Sequence, residues 1–176
     1  DFSIGNIEAS KLGAFIINGS ADGARASSSA GTDPGNAITT NNGFTLTSSG
    51  VTRSIDAVAA DTAKTIAKKV NAVAGSSNVL AAAASYAWLY TDTVTPTGGA
   101  NGGINARLKI NNVQTAAFTL SASDVSDAIQ KINAISSTTG VQATATGDYK
   151  VLLIDADGDD IKLRNTSTRT DLDVRA

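Results

Sequence analysis

Apolar residues in this chain fall into short runs and stripes, and the spacing inside each predicts an element. Ala14-Phe15-Ile16-Ile17-Asn18 is a continuous apolar run closed by Gly19, the pattern of a buried strand. Phe44-Thr45-Leu46-Thr47 alternates apolar with polar, as a half-buried strand does, and Ser48-Ser49-Gly50 turns it into a second strand over residues 51–58. Ala63, Ile66, Ala67, Val70 and Val73 then recur at three- and four-residue spacing, the stripe of an amphipathic helix. Asp61 stands where an N-cap belongs, and Gly75 where such a helix stops. Residues 79–90 are expected to be strand, although their alanines also suit a helix.

The second half reads similarly. Arg107-Leu108-Lys109-Ile110 alternates, Asn111-Asn112 turns, and residues 113–120 return as the paired strand. Ser121 or Ser123 caps a helix whose stripe is Val125, Ala128, Ile129, Ile132 and Ile135. Gly140 precedes a strand at 141–146, Gly147-Asp148 turns, and residues 149–155 run back. Asp157-Gly158 then turns into a last strand at 160–164.

The two halves share one register. Lys69-Val70-Asn71-Ala72-Val73 recurs 62 positions later as Lys131-Ile132-Asn133-Ala134-Ile135. The same gap-free shift places Leu46 on Leu108, Val51 on Val113, Val58 on Leu120, Ala60 on Ala122, Val79 on Val141, Ala81 on Ala143 and Ala83 on Ala145. A small structural unit present twice is the economical reading.

The expected organisation follows. A first module spans residues 1–97 and includes the N-terminal strand and a Ser/Gly-rich surface excursion over 19–43, with Asp33-Pro34-Gly35 as a turn and a short strand near 37–39. Residues 98–103 form a Gly-rich linker, and residues 104–176 the second module. The fold class is α+β. Each module is a strand-strand-helix-strand unit packing one helix on an antiparallel sheet, and the whole is expected to be elongated. The chain does not open with Met, which suggests an excised fragment.

Composition limits the chemistry more than the fold. The 176 residues contain no Cys, His or Met, which excludes disulfides, thiolate nucleophiles, Cys/His metal sites and imidazole acid–base catalysis. A net charge of −2 with scattered basic residues argues against a nucleic-acid footprint, and Lys64, Lys68 and Lys69 read as a solvated helix face. No apolar run approaches the roughly 18–20 residues of a membrane span.

One acidic cluster, Asp155-Ala156-Asp157-Gly158-Asp159-Asp160, resembles the opening of a calcium loop. The loop's glycine belongs at its sixth position, whereas Gly158 is fourth, and Thr166 stands where the bidentate Glu is needed. A solvated turn is the better reading, so no metal or cofactor is expected. The Gly98–Gly103 stretch lacks the Gly-Lys-Ser/Thr ending of a phosphate cradle. Asn18-Gly19-Ser20 and Asn165-Thr166-Ser167 match the short N-glycosylation pattern. Catalytic, cofactor-binding and metal residues are therefore expected to be none, and the chain is read as a non-enzyme.

Leu108-Lys109-Ile110-Asn111-Asn112-Val113, Ser123-Asp124-Val125-Ser126-Asp127-Ala128-Ile129-Gln130-Lys131-Ile132-Asn133-Ala134 and Thr139-Gly140-Val141-Gln142-Ala143 together resemble the hook "IN" motif of bacterial flagellins. In that family the motif belongs to the outer variable region, and it also occurs in the filament-cap protein. The first copy matches less fully, through Val70-Asn71-Ala72 and Val79. The resemblance implies a structural role as a surface-exposed outer domain of a flagellar filament subunit, extracellular on the bacterial flagellum, contributing to filament surface properties and motility. It implies neighbouring copies of the parent as partners, with host receptors, antibodies or glycans as further ones, and no nucleic acid or membrane. The isolated segment is expected to be monomeric. The alternatives are a domain of a filament-cap or hook-associated protein, or an adhesin-type binding module.

Overall fold

The structure is a computed structural model that describes residues 43–48, 50–91 and 103–175. The predicted strand at 14–18, the excursion up to residue 42, most of the Gly-rich linker and the two chain ends lie outside the described residues.

The fold is α+β, with four short helices among antiparallel strands in the described residues. The first copy contains β1 (Phe44–Ser48), β2 (Val51–Ile55), α1 (Ala63–Ala72) and α2 (Ala74–Ser77), followed by β3 (Ser85–Tyr90). The second contains β4 (Ile104–Ala106), β5 (Leu108–Ile110), β6 (Val113–Gln114), β7 (Phe118–Leu120), α3 (Ser126–Asn133), α4 (Ser136–Thr139), β8 (Val141–Ala145) and β9 (Val151–Asp155). β10 (Leu163–Asn165) and β11 (Asp173–Arg175) close the chain. The sheets run β1-β2, β10-β5-β6, β4-β7 and β11-β3-β9-β8.

The 62-residue register survives folding through the hairpin and the helices. Ser48 pairs with Val51 as Ile110 pairs with Val113, so both hairpins close over two residues. Gly50 and its counterpart Asn112 both take positive φ, 77° and 69°, as a two-residue hairpin demands. α1 and α2 fall on α3 and α4. Val73 N–H donates to the Val70 carbonyl and Ile135 N–H to Ile132, each at 3.1 Å. Ser77 N–H reaches Val73 and Thr139 N–H reaches Ile135, each at 3.0 Å. Both double helices end on a left-handed residue, Asn78 (φ 53°) and Gly140 (φ 76°).

Beyond that point the copies diverge. β8 pairs with β9, whereas residues 79–84, its counterpart, form no strand. The expected strand at 79–90 is therefore confined to β3, which pairs with β9 on one side and β11 on the other. The boundary at 98–103 thus does not confine the sheets, because one sheet takes a strand from before it and three from after.

The core follows this asymmetry. Leu89, Ile104, Leu108, Ile110, Phe118, Leu120, Ile132, Val141, Val151 and Leu153 are buried in one cluster around α3. Deep burial of a Leu, Ile or Phe side chain contributes about 1.5–3 kcal/mol, so the second copy carries most of the apolar stabilisation. α1 buries only Val70.

Several boundaries shift from the sequence pattern for local reasons. Thr62, not Asp61, caps α1, its hydroxyl accepting from Thr65 N–H at 3.2 Å. Gly75 does not stop the helix but lies within α2. Neither Ser121 nor Ser123 caps α3: Ser121 Oγ accepts the Asp124 N–H, and the Asp124 carboxylate in turn accepts the Ser126 N–H, both at 2.9 Å. The strand expected over 113–120 breaks into β6 and β7 because buried Thr115 folds back onto Leu108, its N–H on the carbonyl (2.8 Å) and its Oγ1 accepting the amide (3.1 Å). The final hairpin does not form. Asn111 exchanges a backbone N–H and a side-chain acceptor with Lys162 (3.0 and 2.9 Å), which draws β10 onto β5 instead.

Candidate functional site

Two constellations stand out once the fold is in place. The first is built by the repeated asparagine. At the end of α3, Asn133 Nδ2 donates to the Ala143 carbonyl (2.9 Å) while its Oδ1 accepts the Ala143 N–H (2.8 Å). In the first copy Asn71 makes the same pair of bonds to Ala81, at 2.9 and 2.8 Å. A primary amide presents one donor and one acceptor side by side, so it satisfies a strand residue as a neighbouring backbone would. Its small neighbours complete the arrangement: Thr139 Oγ1 accepts the Val141 N–H and Ser77 Oγ the Val79 N–H. Both hydroxyls belong to buried residues.

For β8 the clamp occupies the outer edge. Side-chain bonds at Ala143 leave Gln142 and Thr144 to bond β9, because alternate residues of a strand face opposite neighbours. A capped edge does not recruit a further strand at that position.

The second constellation is the acidic turn after β9. Asp155 is buried, and its Oδ1 accepts the N–H groups of Asp157 (3.0 Å) and Asp159 (3.3 Å). The turn docks on the start of α1, where Lys64 N–H donates to the Gly158 carbonyl at 2.9 Å. Lys64 Nζ then bridges Asp159 (2.7 Å) and Asp157 (3.1 Å). These two bonds, that to Asp159 first, hold the Lys64 ammonium above the ordinary lysine value. Gly158 takes φ 79° directly against Ala83, so the turn also packs on the first copy here. Two of the turn's carboxylates thus share a lysine of the other copy. Among the described residues, no three Asp, Glu, His or Cys side chains converge as metal ligands.

A cavity of about 460 Å³ opens beside this turn, lined by Asn111, Thr139, Gly140, Asp155, Asp157 and Asp159 among others. Asn111 is committed within it, since Nδ2 donates to the Thr139 carbonyl and Oδ1 accepts from Lys162.

A scan against protein-family models finds no match to this chain, and a search of curated proteins finds none either.

The remaining sequence candidates that fall among the described residues have structural partners. The lysine face of α1 is not simply solvated. Lys69 Nζ reaches buried Asp61 at 2.5 Å and the Asp56 carbonyl at 2.9 Å. That bond, with the Val58 N–H donated to the same carboxylate, holds Asp61 below the ordinary carboxylate value. Asn165 of the second glycosylation-type triplet is half-buried and tied into its own turn: its Nδ2 donates to the Arg169 carbonyl, and its Oδ1 accepts from Ser167 N–H and Oγ–H. Asn18 of the first triplet lies outside the described residues. Sequence reasoning missed the partnership of Lys64 with the acidic turn, because the residues lie more than ninety positions apart. It also missed the clamp, whose only signal was an Asn held at the same place in both copies.

Proposed function

We propose that this chain is a structural domain, the surface-exposed outer region of a flagellar filament subunit, extracellular and displayed at the filament surface. One observation carries the proposal: the Ile-Asn segment of the resemblance has the same local structure in both copies. Asn133 follows Ile132, and Asn71 follows Val70; each asparagine closes a helix end onto the following segment. The other matching segments support the reading. Ile110-Asn111 opens the β5-β6 hairpin, and Thr139-Gly140-Val141 makes the passage from α4 to β8. A cysteine-free chain suits export in an unfolded state followed by folding outside the cell.

On this reading the domain contributes surface rather than chemistry, and its partners are neighbouring copies of the parent protein and whatever meets the filament from outside. Deleting it from the parent gene tests this. Filaments still assemble and rotate, but lose reactivity with antiserum raised against the purified domain. A parent that no longer polymerises without the domain contradicts the proposal.

A further inference from the structure

We propose that the outer face of the β11-β3-β9-β8 sheet binds a neutral oligosaccharide, stacked on Tyr86 and Trp88. The proposal is independent of the flagellar reading.

Strand geometry sets the rings in a row. Alternate residues of a strand share a face. Ala87 and Leu89 of β3, with Val151 and Leu153 of β9, are buried in the core. Tyr86, Trp88 and Tyr90 therefore stand on the opposite face, with Ile154 across from Tyr86 and Leu152 across from Trp88. The chain holds three tyrosines and a single tryptophan, and three of these four residues line this one strand. Little of their apolar surface serves the core, since Tyr86 is 52% exposed and Trp88 half-buried. Among the described residues, neither the Tyr86 hydroxyl nor the Trp88 indole N–H has a hydrogen-bond partner. Rings with unused polar tips on an open face suit a ligand that is both apolar and hydroxylated.

The surroundings select that ligand. Side chains directly opposite in antiparallel strands share a face, so Arg175 stands beside Trp88 and Asp173 beside Tyr90. Beyond Leu152 and Ile154, the exposed Thr144 and Gln142 extend a polar rim. Lys150 Nζ closes one end, 5.3 Å from the centre of the Tyr90 ring and 2.6 Å from the Asp148 carboxylate. Lys150 and Arg175 are thus matched by Asp148 and Asp173, whereas a phosphodiester chain or another polyanion demands a clustered basic surface. The platform is also too small for a stable protein partner. Rings of about 150–250 Å² each, half open or less, leave roughly 200 Å² at Tyr86 and Trp88, against about 800 Å² per partner in a standard interface. The two rings step about 6.6 Å along the strand, a spacing that a short chain of sugar rings can follow. A pyranose lays its electropositive C–H face on the negative face of an aromatic ring, and its hydroxyls meet the polar rim.

Trp88, as the single tryptophan, reports binding directly. The full chain is titrated with cellohexaose, maltohexaose and mannohexaose, and separately with oligothymidylate and a polyproline peptide. At least one of the neutral sugars produces a saturable change in Trp88 fluorescence, with the same affinity at low and high salt. Tyr86→Ala weakens that affinity by about tenfold, whereas Tyr86→Phe, which keeps the ring, retains most of it. Phe44→Ala, at an exposed ring of the separate β1-β2 sheet, leaves it unaltered. No response to any of the three sugars, tighter binding of oligothymidylate or the peptide, a steep loss of sugar affinity with salt, or sugar binding untouched by Tyr86→Ala overturns the proposal.

Discussion

Replacing Asn133 by alanine separates the clamp's contribution from that of ordinary helix composition. The substitution deletes two hydrogen bonds and leaves the N–H and C=O of Ala143, a residue only 3% exposed, without those partners. Each bond contributes a net of about 1 kcal/mol, and stranding a buried group raises the cost, so the loss is about 2–3 kcal/mol. Alanine is the better helix former by about 0.6 kcal/mol, which leaves about 1.5–2.5 kcal/mol of destabilisation. Asn71→Ala deletes the same two bonds at an exposed site, where water replaces the lost partners. Its cost falls to about 0–0.5 kcal/mol after the same helix correction. Urea unfolding followed by the fluorescence of Trp88, the single tryptophan, reports both variants, since that residue pairs with Leu152 in the strand beside β8. For a chain of this length the Asn133 variant melts roughly 4–8 °C lower, while the Asn71 variant stays near the parent. Equal losses at the two asparagines, or a loss at Asn133 below about 0.5 kcal/mol, would refute the reasoning.

Other outcomes follow from the acidic turn and the helix ends. Gly158→Ala places a Cβ 2.4 Å from that of Ala83 at φ 79° and destabilises by at least about 2 kcal/mol, read as a lowered urea midpoint. Asn78→Gly relieves a left-handed asparagine and stabilises by up to about 1 kcal/mol, whereas Gly140→Ala, its counterpart, meets the Asp155 carboxylate at 2.9 Å and destabilises. Low-millimolar calcium leaves the melting temperature unchanged because the Lys64 ammonium already bridges Asp157 and Asp159; a rise of several degrees would contradict this. Asp61 is held below the ordinary carboxylate value, so its contribution is complete above the unfolded value of about 4 and disappears as pH falls through the folded one. The stability gap between the parent and Lys69→Met therefore narrows below about pH 4, and a gap that stays constant down to pH 2 would rule out this origin.

What the sequence made legible is what depends on neighbours along the chain. Stripes such as Ala128, Ile129 and Ile132 locate a helix because their spacing alone puts them on one face. The shift from Asn71 to Asn133 marked the repeated unit before any contact was known. Pairings between distant strands left no such mark. β10 was expected beside β9, yet the decisive bonds come from Asn111, about fifty residues earlier. β11, Asp173-Val174-Arg175, is short and polar, so nothing in its pattern announces a strand; β3 makes it one. Residues 79–84 show the converse case, an apolar segment whose strand pattern lacks a described partner. Spacing sets the acidic cluster apart from a calcium loop, but its partner Lys64 was hidden in the expected solvated stripe.

Immunogold labelling of intact cells and sheared filaments, with antibodies raised against the purified domain, tests the filament reading most directly. Gold along the full length of the filament is the expected result. Gold confined to the filament tip, gold on the cell body alone, or no labelling of either would contradict it, the first pointing to a cap protein and the second to an adhesin.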